Sequence, residues 1–268
     1  MRRTLLALET SGRSGSVAIL CADTATKLVS SPLLSVEGFS ITTELLAPEW
    51  GSARTLAPAI DRLLRRMELK PSSIDCITLI QGPGSFTGLR VGVATAKAMA
   101  YALRIPIVAV DGLDTIALQV AQSLDQTASF PLLTVVDAYR GQSFVAQYYI
   151  ESGIVRTVQS TFVEDHQAIA KRVSNWLTND AGSTRGSQSL VVAGPGAAKL
   201  KKSLDGASNA TEMMSENVCW ISDGTAIPMA DTVARLGWER WIHQGQTEDV
   251  FGFLPRYYRS SAAEEKLR

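Results

Sequence analysis

Two carboxylates, Glu9 and Asp137, each stand where an apolar run gives way to a short turn. A carboxylate at a strand end, beside hydroxyls and free backbone N–H groups, is what a phosphoryl-transfer site would use as base or magnesium ligand. Thr10, Ser11, Ser14 and Ser16 follow Glu9 and would offer a phosphate both hydroxyls and amides. Turns favour Ser, Thr, Asp and Gly for local reasons as well. An ordinary hairpin turn after Glu9, and a capping or turn carboxylate at Asp137, therefore stand beside the chemical reading. The Gly-rich stretch after position 81 (Gly82-Pro83-Gly84-Ser85-Phe86-Thr87-Gly88) is a third candidate, because a turn that opens a helix can hold a phosphate. It lacks the Lys-Ser/Thr pair of a P-loop and the G-x-G-x-x-G spacing.

Other chemistries find no motif. The only histidines, His166 and His243, form neither H-x-x-x-H nor H-E-x-x-H, so no local histidine pair can ligate a catalytic metal. Cys21, Cys76 and Cys219 make no C-x-x-C, and each lies among apolar residues, which predicts buried, reduced thiols. There is no G-x-S-x-G. Twenty-six basic and 26 acidic residues leave a formal charge of zero, too little field to grip nucleic acid unaided. The apolar share of 46 % in 268 residues supports a packed core without disulfides or metal. The first residues turn polar at Glu9, too early for a signal-peptide apolar region or a membrane span, and we expect a cytoplasmic protein.

The elements that would position these residues alternate. Apolar runs at 4–8, 16–21 and 27–34 read as three strands, with 35–52 irregular. Residues 53–67 read as an amphipathic helix with Leu56, Ile60, Leu63, Leu64 and Met67 on one face, and Pro58 must lie in its first turn or bend it. A buried strand at 77–80 leads into the Gly-rich turn and a long helix, with Ser85 or Thr87 as its cap. On that helix Gly88, Gly92, Ala96 and Ala100 recur every four residues, forming one stripe of small side chains. A helical Gly costs about 1 kcal/mol relative to Ala, so Gly92 needs a reason. Close packing on the helix's own sheet is one, and contact with a helix of another chain is the other. A strand at 105–110 and a helix at 113–124 follow.

The second half repeats the plan. Strands are expected at 132–137, 143–150 and 155–162, a helix at 165–177, a loop at 178–188 and a strand at 190–193. Gly194-Pro195-Gly196 then turns into a short helix. Residues 205–217 read as a polar loop, 226–243 as a last helix whose buried face includes Trp238 and Trp241, and the C-terminal end as a fraying tail. Three strands followed by alternating helices and strands make a ribonuclease H-like unit, in which an antiparallel ribbon continues into a parallel sheet. Two such units give an α/β fold.

Four pieces of sequence resemble one known family. They are Leu8-Glu9-Thr10-Ser11, the run from Gly82 to Gly92, Val136-Asp137-Ala138-Tyr139-Arg140, and Pro255-Arg256-Tyr257-Tyr258-Arg259. The chain is similar to the TsaB (YeaZ) family of tRNA threonylcarbamoyladenosine biosynthesis proteins, relatives of TsaD in the glycoprotease-like group. The match is good over the first 140 residues and thin beyond, and the run from Gly82 to Arg90 is its most specific part. The resemblance implies an actin-like fold of two ribonuclease H-like lobes. On this reading residues 1–110 form the first, with a helix at about 223–244 packing back on it, 111–222 the second, and 245–268 a tail. It implies a non-catalytic subunit with no cofactor or metal of its own. Such a subunit pairs with a TsaD-like catalytic paralogue, works with a TsaE-like ATPase, and meets tRNA only through the complex, away from any membrane. The resemblance also allows a homodimer when the partner is absent, a choice the sequence leaves open.

Since TsaB proteins pair through helices of the first lobe, the expected seam is Gly88, Val91, Gly92, Thr95, Ala96, Met99 and Ala100 with Leu56 and Ile60. Glu9, Thr10, Ser11 and Asp137 would be the remains of a nucleotide site. The chain departs from the family at Glu9, where Asp is usual, and at Gly51-Ser52, where the family has His-Ser. The alternative is an ATP-dependent small-molecule kinase using Asp137 or Glu9. A protease is disfavoured by the absence of metal-ligand and nucleophile motifs.

Overall fold

The computed structural model describes residues 1–27, 38–125, 127–180, 189–205 and 217–259. The chain divides into two compact units. Unit 1 holds Met1–Thr115 and Pro228–Arg256, and unit 2 holds Ile116–Ile227 and Tyr257–Arg268.

Unit 1 is built on a five-stranded sheet of order β3-β2-β1-β4-β5. Strands β1 (Arg2–Glu9), β2 (Ser16–Asp23) and β3 (Phe39–Leu45) form an antiparallel ribbon. Strands β4 (Cys76–Gly82) and β5 (Ile107–Asp111) extend it in parallel from β1. Both faces of this sheet are covered, so β1 reads as a continuous apolar run rather than an alternating one. Leu6, Leu8, Val17 and Ile19 face helices α1 (Ser52–Arg66) and α2 (Phe86–Leu103). Leu5, Ala7, Ala18 and Leu20 face the later helix Ala230–Trp238. That helix comes so close to β4 that a Cβ on Gly237 would sit 2.5 Å from the Thr78 Cβ. Helix α3 (Gly112–Ser123) follows β5.

Unit 2 repeats the pattern with order β10-β9-β6-β7-β8. Strands β6 (Ser129–Asp137), β7 (Gln142–Glu151) and β8 (Ile154–Asp165) are the antiparallel ribbon. Strands β9 (Leu190–Ala193) and β10 (Val218–Ile221) are the parallel extension. Helices α4 (His166–Asp180) and α5 (Ala197–Asp205) cover one face through Ile169, Val173, Ala197 and Leu200. Each unit is thus a ribonuclease H-like lobe. We number Ala230–Trp238 as α6; it runs on into a single π-helical turn, Glu239–His243.

Several expectations need correction. The third strand is β3, inside the stretch read as irregular. Its pattern is hidden because most of its residues are half-buried on an edge. The strand expected at 27–34 lies, apart from Lys27, outside the described residues, as do residues 181–188 of the loop expected at 178–188, whose first three residues belong to α4, most of 205–217 and the last nine residues. Strand β10 was missed: four residues beside a polar stretch carry too little periodicity. Pro58 lies past the first turn of α1, on its exposed side, where its missing N–H removes one helical bond. The helix expected at 226–243 begins only at Ala230, after a short 3-10 turn at Gly224–Ala226. Cys21 and Cys76 are buried but Cys219 is exposed, because it alternates outward on an edge strand.

Candidate functional site

The Gly-rich turn between β4 and α2 meets the turn after β1. Ser85 caps α2, its Oγ accepting from the Gly88 N–H at 3.3 Å. Its own N–H donates to the Ser11 carbonyl at 2.7 Å, and the Thr10 hydroxyl donates to the Gly88 carbonyl at 2.8 Å. These contacts leave no room for side chains. A Cβ at Gly84 would lie 2.5 Å from the Ser11 Cβ, one at Gly92 would lie 2.5 Å from the Thr10 Oγ1, and one at Gly88 would strike the Thr10 carbonyl. The glycines therefore let the β1–β2 turn press onto the first turns of α2. That is the physical content of the sequence's most specific motif.

This sets most of the expected seam inside the lobe. Gly88, Gly92, Ala96 and Ala100 are buried within unit 1, and so are Leu56 and Ile60. The stripe is packing against the lobe's own sheet, so these six residues cannot meet another chain in this conformation. Val91, Thr95 and Met99 are half-buried at its margin. The outward face of α2 carries Thr87, Ala94, Ala98 and Ala102 together with larger residues: Phe86, with Arg90 stacked on its ring, and Tyr101, 67 % exposed. Beside it α1 exposes Ala53, Arg54, Ala57 and Pro58.

Glu9, Thr10 and Ser11 are brought together, and all three are buried. One carboxylate oxygen of Glu9 accepts from the Ser11 N–H (2.7 Å), the Ser11 hydroxyl (2.6 Å) and the Gly12 N–H (3.2 Å). The other, Oε2, is buried without a hydrogen-bond partner. Burial pushes the Glu9 pKa up from 4.5 to about 7, against the smaller downward pull of the Ser11 and Gly12 hydrogen bonds.

Asp137 lies in unit 2, at the equivalent position. Its Oδ1 accepts from the Tyr139 N–H at 2.9 Å and its Oδ2 is ion-paired with Lys199 at 2.7 Å. The second Gly-Pro-Gly repeats the packing of the first. Gly196 donates to the Val135 carbonyl at 3.0 Å, and a Cβ there would sit 2.8 Å from the Asp137 nitrogen. The turn after β6 is strained: Tyr139, Arg140 and Gly141 have φ of 62°, 54° and 75°. A left-handed conformation costs a non-glycine residue about 1–2 kcal/mol.

Sequence reasoning missed Lys199, although the second Gly-Pro-Gly pointed to the turn just before it. It also missed the segment that crosses unit 1 near its end. There Lys97 of α2 donates to the carbonyls of Phe251 (2.8 Å) and Phe253 (3.1 Å), and Phe251 stacks edge-on against Tyr101 with centroids 5.7 Å apart. Neither histidine is available for a pair. His166 bridges Ser143 (3.1 Å) and Ser203 (2.9 Å) in unit 2, and His243 meets the Thr26 carbonyl (3.0 Å) in unit 1. Among the described residues, no three His, Cys, Asp or Glu side chains group as metal ligands, and no helix is long and apolar enough to cross a membrane.

Comparison with known proteins adds a lineage. A family model described as "TsaD: tRNA N6-adenosine threonylcarbamoyltransferase" matches residues 51–266. The tRNA threonylcarbamoyladenosine biosynthesis protein TsaB of Bacillus subtilis is 29 % identical over 212 residues, 78 % of this chain and 80 % of that protein. The protein of the same name from Haemophilus influenzae is 30 % identical over 183 residues, 66 % of this chain and 69 % of that protein. Among solved structures, YeaZ from Pseudomonas aeruginosa superimposes with a TM-score of 0.65 at 22 % identity, covering 95 % of this chain and 99 % of that one. A second Pseudomonas aeruginosa structure, of a protein similar to peptidase YeaZ, gives 0.69 at 22 % identity, covering 96 % of this chain and all of that one. These likenesses establish the actin-like fold.

Proposed function

This chain belongs to the TsaD family, with TsaB (YeaZ) proteins among its relatives, and from that premise we propose that it serves tRNA threonylcarbamoyladenosine biosynthesis as a non-catalytic subunit. It binds a TsaD-like catalytic paralogue, and the pair works in the cytoplasm with a TsaE-like ATPase. The product of the complex is a threonylcarbamoyl group on the adenosine beside the tRNA anticodon. The observation that carries the non-catalytic reading is the state of the turn after β1. The Thr10 and Ser11 hydroxyls are committed to α2 and to Glu9, and the Ser11 and Gly12 N–H groups to Glu9, so these residues keep little to offer a phosphate. Asp137, which a kinase would need as base or metal ligand, is taken by Tyr139 and Lys199.

The docking seam belongs on the outward face of α1 and α2. Val91, Thr95 and Met99 remain in it from the expected set, and Ala94, Ala98 and Ala102 replace the buried stripe. Side chains this small let a partner helix approach closely. In the partner's absence the same face pairs two copies of this chain. The test is sizing chromatography of the purified chain with the TsaD-like protein of the same organism, with and without ATP and the TsaE-like protein. Co-migration at tens of micromolar supports the reading, and separate elution under all conditions rejects it.

A further inference from the structure

The 137–141 turn of unit 2 has features that its structural role does not require. Tyr139 is 72 % exposed at the tip, although an exposed aromatic ring there buries almost nothing. Arg140 beside it is exposed as well. The Lys199 ammonium lies 5.5 Å from the Tyr139 ring centroid. Lys202 is exposed one turn further along α5, on the same face as Lys199. From the C-terminal segment, Arg259 donates to the Ala138 carbonyl at 2.8 Å, and Tyr258 packs edge-on against Phe144. The cations near the turn are Arg140, Lys199, Lys202 and Arg259; among the described residues the carboxylates beside it are Asp137, paired with Lys199, and Asp165, across from Gln142 on β8.

We infer that this turn and α5 form a contact surface for single-stranded RNA. Tyr139 stacks on a base, while Arg140, Lys199 and Lys202 meet phosphates. The inference rests on the proposed role in tRNA modification, where the reacting adenosine lies in a single-stranded loop. The complex brings the chain to the tRNA, and this surface then touches the loop or its flank. RNA fits better than an acidic protein because a solvent-facing ring between cations matches alternating bases and phosphates. Unpaired bases are recognised by stacking on aromatic side chains, and backbone phosphates by Lys and Arg. Asp137 competes with phosphate for Lys199, so the surface holds its own antagonist.

The test is fluorescence anisotropy of the full chain with a labelled oligoribonucleotide copying the anticodon loop, at low and moderate salt. We expect weak binding whose logarithm falls with log salt at a slope of about −2, for three phosphates on a single strand. Tyr139→Ala weakens binding roughly 5- to 150-fold, the span of base–aromatic stacking. Lys199→Gln with Lys202→Gln weakens it and flattens the slope by about 1.4. Asp137→Asn keeps an oxygen for the Tyr139 N–H, releases Lys199 and tightens binding, a gain that a purely structural turn would not give. Absence of binding at low salt, or equal affinity for wild type and all variants, overturns the inference. Competition by AMP at the same concentrations as RNA overturns it in favour of a mononucleotide site. Binding to polyglutamate as tight as to RNA overturns it in favour of an acidic protein. Each variant should still co-migrate with the TsaD-like partner. Loss of pairing would make the turn a protein interface and overturn the RNA reading, whereas failure of the wild-type chain to pair would reject the proposed function instead.

Discussion

Replacing Glu9 by Gln should make the protein more stable at alkaline pH and change little at acidic pH. The carboxyl is fully buried, one oxygen receives three hydrogen bonds and the other receives none. In the folded state it therefore holds its proton up to about pH 7, against an ordinary value of 4.5. The sign follows from linkage. Between these two values the folded chain binds more protons at this site than the unfolded chain, so stability falls as pH rises. The contribution is complete below pH 4.5, declines through the interval, and is gone above about pH 7. At about 1.36 kcal/mol for each pH unit, the interval amounts to about 3 kcal/mol. A Gln has no such titration, and its oxygen can still accept from Ser11 and Gly12. The difference in stability between Glu9→Gln and wild type should therefore grow by about 3 kcal/mol from pH 4.5 to pH 8. Native-state hydrogen exchange of the Leu6 and Leu8 amides, corrected for intrinsic exchange, reads this within unit 1 alone. Parallel pH profiles for the two proteins would refute the reasoning, and so would a difference that shrinks from pH 5 to pH 8.

Other perturbations separate packing from docking. Gly88→Ala forces a Cβ against the Thr10 carbonyl and should cost about 3 kcal/mol or more, seen as a lowered urea midpoint. Ala94→Leu, on the exposed face of the same helix, should stay within about 0.5 kcal/mol of wild type in that assay. Gly92→Leu should fail to fold, since it would intrude on Thr10 and Leu79; a stable Gly92→Leu protein would contradict the buried stripe. Lys97→Met removes the donor that holds the Phe251 and Phe253 carbonyls, at a cost of about 1–2 kcal/mol. It should expose the 247–256 segment to limited proteolysis before the rest of unit 1.

Much of the fold was legible because its signals are local. The runs that become β1, β4, β5, β6 and β9 are buried on both faces or in a sheet centre, and α1 shows its apolar face every three or four residues. The repeated Gly-Pro-Gly announced two equivalent strand-to-helix turns. What failed were short edge strands. In β3 and β10 half-exposure mixes polar and apolar residues, and a four-residue strand has no period to read. The candidate site failed for another reason. A stripe of Gly and Ala states that something comes close, not what. Gly88 and Gly92 are small because Thr10 occupies the space, a residue about eighty positions earlier that no helical pattern can reveal. The sequence offered both readings of the stripe, and packing on the lobe itself is the one the fold realises. Glu9 likewise stood as chemical or local in the sequence. Its three hydrogen bonds within its own turn now describe it, while the burial that raises its pKa comes from packing that only the fold creates.

The dissociation constant of the TsaD-like partner for wild type and for Ala98→Glu, measured by titration calorimetry under identical conditions, bears most directly on the proposed role. Ala98 is exposed on α2, so a glutamate there leaves the lobe's own packing intact. If the outward face is the seam, wild type binds and Ala98→Glu loses at least tenfold in affinity with an unchanged urea midpoint. Equal affinities for the two proteins would place the partner elsewhere and contradict the account.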